Sequence, residues 1–528
     1  MFLGPGWDTY DFLSDALLFA GQGTGYADLI RPPLIPFITS LFFRAGYVSE
    51  VVIFAVDGAL FAFGVIGLYL LLNCRFNPIL SFLGSLLYAT FPIVLNFAGF
   101  GLTDVPSVSF CIWSLYFTVL AVNRNPKYFY LTFPFLMLAF LTRFTSALTI
   151  LPIAFYLLIN KDSLKNVKEI LIGILISFLI IIPFFIFFQM QTGNFLYPFL
   201  SSFGASNGPV STSDYSYNAN YDYYIDGMPL FIGEKIYEIL KFILIIVSGI
   251  IVFVFAKITM EKIKEGTFKT ILKSQKFKII GFTAFLILSF IFIETFGNLT
   301  YLQSLLLFFI LLFLFYMSMK DIKMKHFDID LLILSFLMTF FIFHSVFLTK
   351  VDRYFVIMAP AVAYFFIWGL NQILNLLKDE AINKNIISSI ITVALAFMVL
   401  SSVSPYLNTF QNENIGMNTL NEKSVVLSAW LVNYDPDYKD KVIYSDIWPY
   451  SAWDLKTNVQ KMPIFKDGEA HYFGVNNYGI SSRDNLAFNK ELKHGKADYY
   501  ICVRPELNLT SYVPIKKVED IIIYKKIK

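Results

Sequence analysis

Residues 169–189 read Glu-Ile-Leu-Ile-Gly-Ile-Leu-Ile-Ser-Phe-Leu-Ile-Ile-Ile-Pro-Phe-Phe-Ile-Phe-Phe-Gln, with no charge between the first residue and the last. Crossing the hydrocarbon core of a bilayer takes roughly 20 consecutive apolar residues, and this run supplies them. Comparable runs lie near 51–73, 78–98, 106–123, 128–142, 145–160, 236–256, 279–296, 300–318, 330–349, 354–375 and 386–404, about twelve in all, the fourth and fifth in chain order being short. Composition agrees: over 528 residues, 57% are hydrophobic, 18% aromatic and only 15% charged, which excludes an ordinary soluble globular chain. The fold class expected is an all-α polytopic membrane protein.

Lys and Arg in alternate short loops set the orientation. One set carries Arg75, Arg124, Lys127, Lys161, Lys165, Lys168, seven lysines from Lys257 to Lys278, Lys320, Lys323, Lys325, Lys378 and Lys384. That set is expected to be cytoplasmic. The opposite set comprises the N-terminal segment, the loop at 99–105, the turn around Arg143, the loop at 190–235, the connection at 297–299, the loop at 350–353 and everything after 405. An even number of spans then leaves both termini outside, so one further span is expected upstream of Met1.

Three extramembrane stretches have their own character. Residues 8–20 alternate Asp8, Asp11 and Asp15 with apolar side chains at helical spacing, which predicts an interfacial helix lying on the outer surface. The 190–235 loop is rich in tyrosine, including Tyr215, Tyr217, Tyr221, Tyr223 and Tyr224; a solvent loop and an ordered lid both stay open. After Pro405 the composition turns soluble, with strand-like runs at 441–446, 498–504, 511–515 and 520–525. The division expected is 1–405 for the membrane domain, with 1–50 as its first external loop, and 406–528 for a small extracytoplasmic α/β domain. Cys74, Cys111 and Cys502 define neither a disulfide framework nor a metal site.

Ionisable residues within or beside spans are expensive and mark a site by default. Asp57, Asn96, Glu294, Gln303 and His344 fall in the outer thirds of their spans, on the side of Asp8, Arg31, Asp104, Arg143, Lys350, Asp352 and Arg353. An outward-opening polar cavity explains all of them together. Plainer roles exist for each: Asp8 as an N-cap, Arg31 as a snorkelling anchor, His344 as a hydrogen-bonded core residue, Asp57 as a partner of a neighbouring helix, and Asp352 with Arg353 as a local ion pair.

A carboxylate can take a proton from an acceptor hydroxyl while arginines hold a departing phosphate. That pairing suits glycosyl transfer from a lipid-linked sugar phosphate, and no glycine-rich nucleotide loop is present. A transporter or flippase of a lipid-linked sugar is the alternative from another class, and a membrane receptor using the tail is a third.

The order Gly6-Trp7-Asp8-Thr9-Tyr10-Asp11, Arg31-Pro32-Pro33-Leu34-Ile35-Pro36-Phe37, Thr103-Asp104-Val105-Pro106, Leu141-Thr142-Arg143-Phe144-Thr145, Gly193-Asn194-Phe195-Leu196-Tyr197-Pro198 and Asp352-Arg353-Tyr354-Phe355 resembles the GT-C glycosyltransferases of the protein O-mannosyltransferase and aminoarabinose transferase type. The resemblance covers roughly residues 5–375. It implies a GT-C helical bundle and an inverting transfer of a mannose-like monosaccharide from a polyprenyl or dolichyl phosphate to a protein, lipid or glycan acceptor, on the extracytoplasmic face of the cell membrane. By that resemblance the essential acid of the first loop falls on Asp8 and a second acid on Asp104. Arg143 and Arg353 become donor-phosphate ligands, with Arg31 and Lys350 beside them, while Asp57, Glu294, His344 and Tyr354 line the polar cavity. No cofactor is required by these motifs; a divalent cation shared by Asp8 and Asp104 is one option. No nucleic acid partner is expected. The family's usual Asp-Glu pair is here Asp8-Thr9, and the Asp446-Ile447-Trp448-Pro449-Tyr450 run departs from the Trp-Trp-Asp-Tyr-Gly signature of oligosaccharyltransferases, which favours transfer of a single sugar.

Overall fold

The computed structural model describes residues 6–204, 217–246, 248–249, 276–320, 325–376, 384–413, 415–471, 479–504 and 506–527. Helix α1 (Trp7–Phe19) and α2 (Leu34–Arg44) precede the long apolar α3 (Glu50–Asn73). There follow α4 (Pro78–Thr90), α5 (Pro92–Ala98), α6 (Asp104–Asn123), α7 (Phe129–Thr142), α8 (Ile150–Ile159) and α9 (Val167–Thr192), the last being the run quoted first. Helices Lys276–Thr295, Tyr301–Met319, Phe327–Val346, Ala359–Leu376 and Lys384–Glu413 complete the bundle. The chain is a multi-pass membrane protein.

Five described helices are long and apolar enough to cross a bilayer, or six if α4 and α5, bent by 61° at their junction, count as one. Among the described residues the expected count of about twelve is not confirmed, and two breaks in the sequence account for part of the difference. Pro92 has no N–H to continue α4, and Phe91 stands at φ −58°, ψ 130° between the two helices. Arg143 is extended between α7 and a 3-10 turn at Phe144–Thr149, so the short fourth and fifth runs become a 14-residue helix and a broken one. The sixth from last expected run, 236–256, is helical over 234–246 before it leaves the described residues, as do the lysines of 257–275 and Tyr215.

Packing is closest where side chains vanish. A Cβ on Gly64 would lie 2.2 Å from the Ser109 Oγ, so α3 and α6 approach at that level only because position 64 has no side chain. Among the described residues, members of each charge-defined set of loops contact one another. In one set Arg75 pairs with Asp330 at 2.9 Å and the Tyr156 hydroxyl donates to Asp328 at 2.9 Å. In the other lie Asp8, Asp104, Arg143 and Arg353.

After helix Ile415–Tyr434 the chain forms a five-stranded sheet in the order β2-β1-β5-β7-β6. Its strands are β1 (Ile443–Ser445), β2 (Val459–Lys461), β5 (Tyr499–Cys502), β6 (Tyr512–Val518) and β7 (Ile521–Lys526), while β3 (Ile464–Lys466) and β4 (Glu469–His471) make a separate hairpin. β1 runs parallel to β2 and β5, and β7 antiparallel to β5 and β6. Helix Trp448–Leu455 projects from this sheet onto α1. Tyr10 meets Tyr450 at 4.5 Å between ring centroids, and Trp7 meets Trp448 edge-on at 4.6 Å.

That contact corrects the reading of α1 as an interfacial helix with its acids outward. Asp11 and Asp15 are each 2% exposed, bonded by Tyr26 and Asp28 of the 25–31 loop, and the Trp448–Leu455 helix packs on the same α1. The helical period was right; the face assumed to meet water meets protein.

Candidate active site

α1 begins at Gly6, whose carbonyl accepts from the Thr9 and Tyr10 amides, so Asp8 does not cap the helix. It stands in the first turn, aimed between two arginines. One carboxylate oxygen accepts from Arg31 Nη2 at 2.9 Å and the other from Arg353 Nη1 at 2.7 Å. Pro32 and Pro33 stop Arg31 from joining α2 and leave its side chain turned to α1, where it also binds Asp11 at 2.7 Å and, through Nε, Asp28 at 3.0 Å. It is the hub of three carboxylates rather than a lipid-facing anchor.

Arg353 sits in a one-turn 3-10 helix, Asp352–Phe355, that packs against α5. It does not pair with its neighbour: Asp352 accepts instead from the Tyr223 hydroxyl at 2.5 Å. Its Nε is buried without a hydrogen-bond partner. Asp104, the first residue of α6, forms an ion pair with Arg143, whose guanidinium lies 5.1 Å from the Tyr354 ring centroid. His344 stacks on the other part of this wall, 4.6 Å from Tyr354 between centroids. Its Nδ1 has no hydrogen-bond partner, unlike the satisfied core histidine that the plainer reading expected.

The charges act on one another strongly. Burial pushes the Asp8 carboxyl up, but the fields of Arg31 and Arg353 and their hydrogen bonds outweigh it and hold the group down at about 2. Asp11 moves the other way: burial raises it, Arg31 lowers it, Asp28 raises it and the Tyr26 hydroxyl lowers it, leaving it at about 7. Burial lowers Arg353, and Asp104 and Asp8 more than reverse that.

Of the residues expected in the cavity, Asp8, Arg31, Asp104, Arg143, Arg353, His344 and Tyr354 come together. Asp57 lies deeper, fully buried on α3, its carboxylate facing the backbone amides of Gly101 and Leu102 in the loop before α6 rather than a side chain of a neighbouring helix. Lys350 and Glu294 do not join. The Lys350 ammonium donates to the Asn218 carbonyl at 2.5 Å and the Phe347 carbonyl at 3.1 Å, which uses its charge to fasten a loop. Glu294 is exposed near the end of its helix. Among the described residues no three His, Cys, Asp or Glu are grouped to hold a metal ion.

The tyrosine-rich loop is ordered where described. Tyr217 bridges to Thr349, Tyr221 donates to the Gly297 carbonyl at 2.5 Å, and Tyr224 is fully buried. Tyr217, Tyr223 and Tyr224 dock the loop on residues 349–352, next to Arg353, while Tyr221 fastens it to the 297–299 connection. Sequence reasoning missed Tyr26, Asp28 and the use of Asp11 as an arginine partner; Asp11 stood in the quoted motif, whereas Tyr26 carried no signal.

Residues 30–187 match the family model described as dolichyl-phosphate-mannose-protein mannosyltransferase, a stretch that holds Arg31, Asp104 and Arg143. No curated protein matches the chain. Among solved structures, ArnT from Cupriavidus metallidurans bound to undecaprenyl phosphate is 11% identical with a TM-score of 0.57, the match covering 99% of this chain and 94% of that one. The Archaeoglobus fulgidus oligosaccharyltransferase tethered to an acceptor peptide containing the NVT sequon is 15% identical with a TM-score of 0.52, covering 94% of this chain and 65% of that one. In fold along nearly its whole length, and in sequence over residues 30–187, the chain resembles the GT-C superfamily glycosyltransferases of the O-mannosyltransferase and aminoarabinose transferase type.

Proposed function

We propose that this protein is a membrane glycosyltransferase that moves one mannose-like sugar from a polyprenyl or dolichyl phosphate to a protein, lipid or glycan acceptor. The reaction takes place on the extracytoplasmic face, within the 1–405 domain and beneath the 406–528 domain. The observation that carries the reading is Asp8 clamped between Arg31 and Arg353, with an unused buried N–H on Arg353 and the Asp104–Arg143 pair alongside. The family model's description supports a mannosyl phospholipid donor, the undecaprenyl phosphate bound to ArnT supports a lipid phosphate, and the peptide on the oligosaccharyltransferase supports a protein acceptor.

Asp8 at about 2 is too weak a base to take a proton from a hydroxyl. A donor phosphate supplies what is missing. By engaging Arg353 it competes with Asp8 for the guanidinium, and the carboxylate so released regains basicity as its neutralising field weakens. The acceptor oxygen then attacks the anomeric carbon from the face opposite the phosphate, its proton passes to Asp8, and the C1–O bond breaks with its electron pair remaining on the phosphate. Arg353 and Arg143 stabilise that departing charge. Asp104 holds Arg143 in place.

A cavity of about 240 Å³ lies beside the α4–α5 bend, lined by Leu87, Phe91, Pro92, Ile236, Val399 and Val403 among others. Glu234 and Lys235 also line it, so it offers an apolar wall with a charged edge, and α5 on that wall packs against Asp352–Phe355, which puts it within reach of a donor's isoprenoid chain. Purified protein incubated with a radiolabelled polyprenyl-phosphate mannose and a set of hydroxyl acceptors tests the reading. Transfer that disappears in Asp8→Asn supports it. Equal transfer by that variant, or label that crosses the bilayer without joining any acceptor, overturns it.

A further inference from the structure

A line of hydrogen bonds reaches the site from the C-terminal sheet. The Trp448 indole N–H donates to the Tyr26 hydroxyl oxygen at 3.0 Å, and that hydroxyl donates to Asp11 Oδ1 at 2.5 Å. The other oxygen of Asp11 accepts from Arg31 Nη2 at 2.7 Å, the same nitrogen that donates to Asp8 at 2.9 Å. Four hydrogen bonds thus connect Trp448 to Asp8 without a break. No packing need explains this. Tyr26 and Asp11 bury a hydroxyl and a carboxylate where apolar groups would cost less.

We propose that Trp448, Tyr26 and Asp11 form a positioning relay that fixes the ionisation of Asp11 and, through it, the placement of Arg31 against Asp8. The proposal rests on the transferase reading for its kinetic consequences only. When Asp11 is ionised its bond to Arg31 is charge-assisted, roughly twice as strong as a neutral one. When it is protonated Arg31 loosens and Asp8 loses its register.

The groups that face Asp11 come from every neighbouring element. Asp8 and Asp15 share its helix, Tyr26, Asp28 and Arg31 come from the following loop, Tyr450 from the C-terminal helix and Lys461 from β2. Among them Tyr26 alone donates a neutral hydrogen bond to the carboxylate, which draws the group downward from where burial would put it. Removing that hydroxyl leaves burial less opposed. The titration of Asp11, near 7 in the intact protein, then moves to higher pH.

Two measurements on full-length protein in lipid nanodiscs test this. In the first, isotope-edited infrared spectroscopy follows the protonated carboxyl band that is lost in Asp11→Asn. Its midpoint is expected to rise by about one pH unit in Tyr26→Phe and by less in Trp448→Phe, which keeps the aromatic packing. In the second, kcat against pH should show its acid limb displaced upward by the same amounts, with turnover near pH 7 reduced about threefold to tenfold and recovered at higher pH. A merely structural role would lower kcat alike at every pH. An unshifted infrared midpoint in both Tyr26→Phe and Trp448→Phe overturns the relay. If wild-type protein transfers no sugar the functional reading fails, and the infrared titration alone still decides the relay.

Discussion

Replacing Asp8 by Asn should abolish sugar transfer and yet tighten the hold on the lipid phosphate. The two arginines now spend part of their field on the carboxylate, and the net fall in its pKa, left after burial has raised it, sets the least that share can be. A fall from the ordinary 3.8 to about 2 is nearly two units, or about 2 kcal/mol in favour of the ionised form beside Arg31 and Arg353. A phosphate approaching the wild-type site must displace part of this interaction. In Asp8→Asn the competitor is neutral. Arg31 remains occupied by Asp11 and Asp28, so the gain is the Arg353 portion, about 1 kcal/mol, or roughly fivefold in Kd. The assay is equilibrium binding of sugar-free polyprenyl phosphate to wild type and variant in nanodiscs, paired with turnover of the radiolabelled donor. Weaker binding by Asp8→Asn would refute the competition, and retained turnover would refute the role of Asp8 as base.

Arg353→Gln should raise the donor KM at least about tenfold with little change in the acceptor KM, because it removes the guanidinium that carries the unused N–H; equal changes in both constants under steady-state kinetics would count against a phosphate contact. Gly64→Ala should destabilise the bundle by about 1–3 kcal/mol, as its methyl collides with Ser109. Thermal unfolding in detergent reads this, and the Gly64→Ala, Ser109→Gly double variant should recover most of the loss. Arg504→Ala leaves the buried Asp446 carboxylate with only the Tyr500 hydroxyl and the Val503 amide, a cost of about 3 kcal/mol. Limited proteolysis should then open the C-terminal sheet while the membrane helices stay intact.

What could be read from the chain depended on whether the signal was local. Apolar runs without proline at their centre, as at 51–73 and 300–318, became helices with nearly the expected ends. Runs interrupted by Pro92, or by an arginine that must face a site, did not become simple spans, because one backbone break outweighs the hydropathy around it. Asp8 and Arg353 were found by their motifs, and their meeting across 345 positions by the loop charges that set both on one side. Asp11 and Asp15 were misread for a definite reason. A helical period separates apolar from polar faces, but it does not say whether the polar face meets water or a second layer of protein. That layer is the 448–455 helix, whose partner in space no local pattern names. Lys350 shows the converse: a cation at the expected depth that donates to two backbone carbonyls.

The Trp448–Tyr26 bond closes a loop of 422 positions, and this fixes when the protein can work. Chains emerge at roughly 5–20 residues per second, so about 20 to 85 s separate the synthesis of the two partners. Until position 353 is made α1 holds its acids without Arg353, and until position 448 without the helix that packs on it. The site is therefore completed late in synthesis, and a nascent chain still attached to its ribosome before position 353 carries the whole first loop without the arginine that the proposed reaction needs.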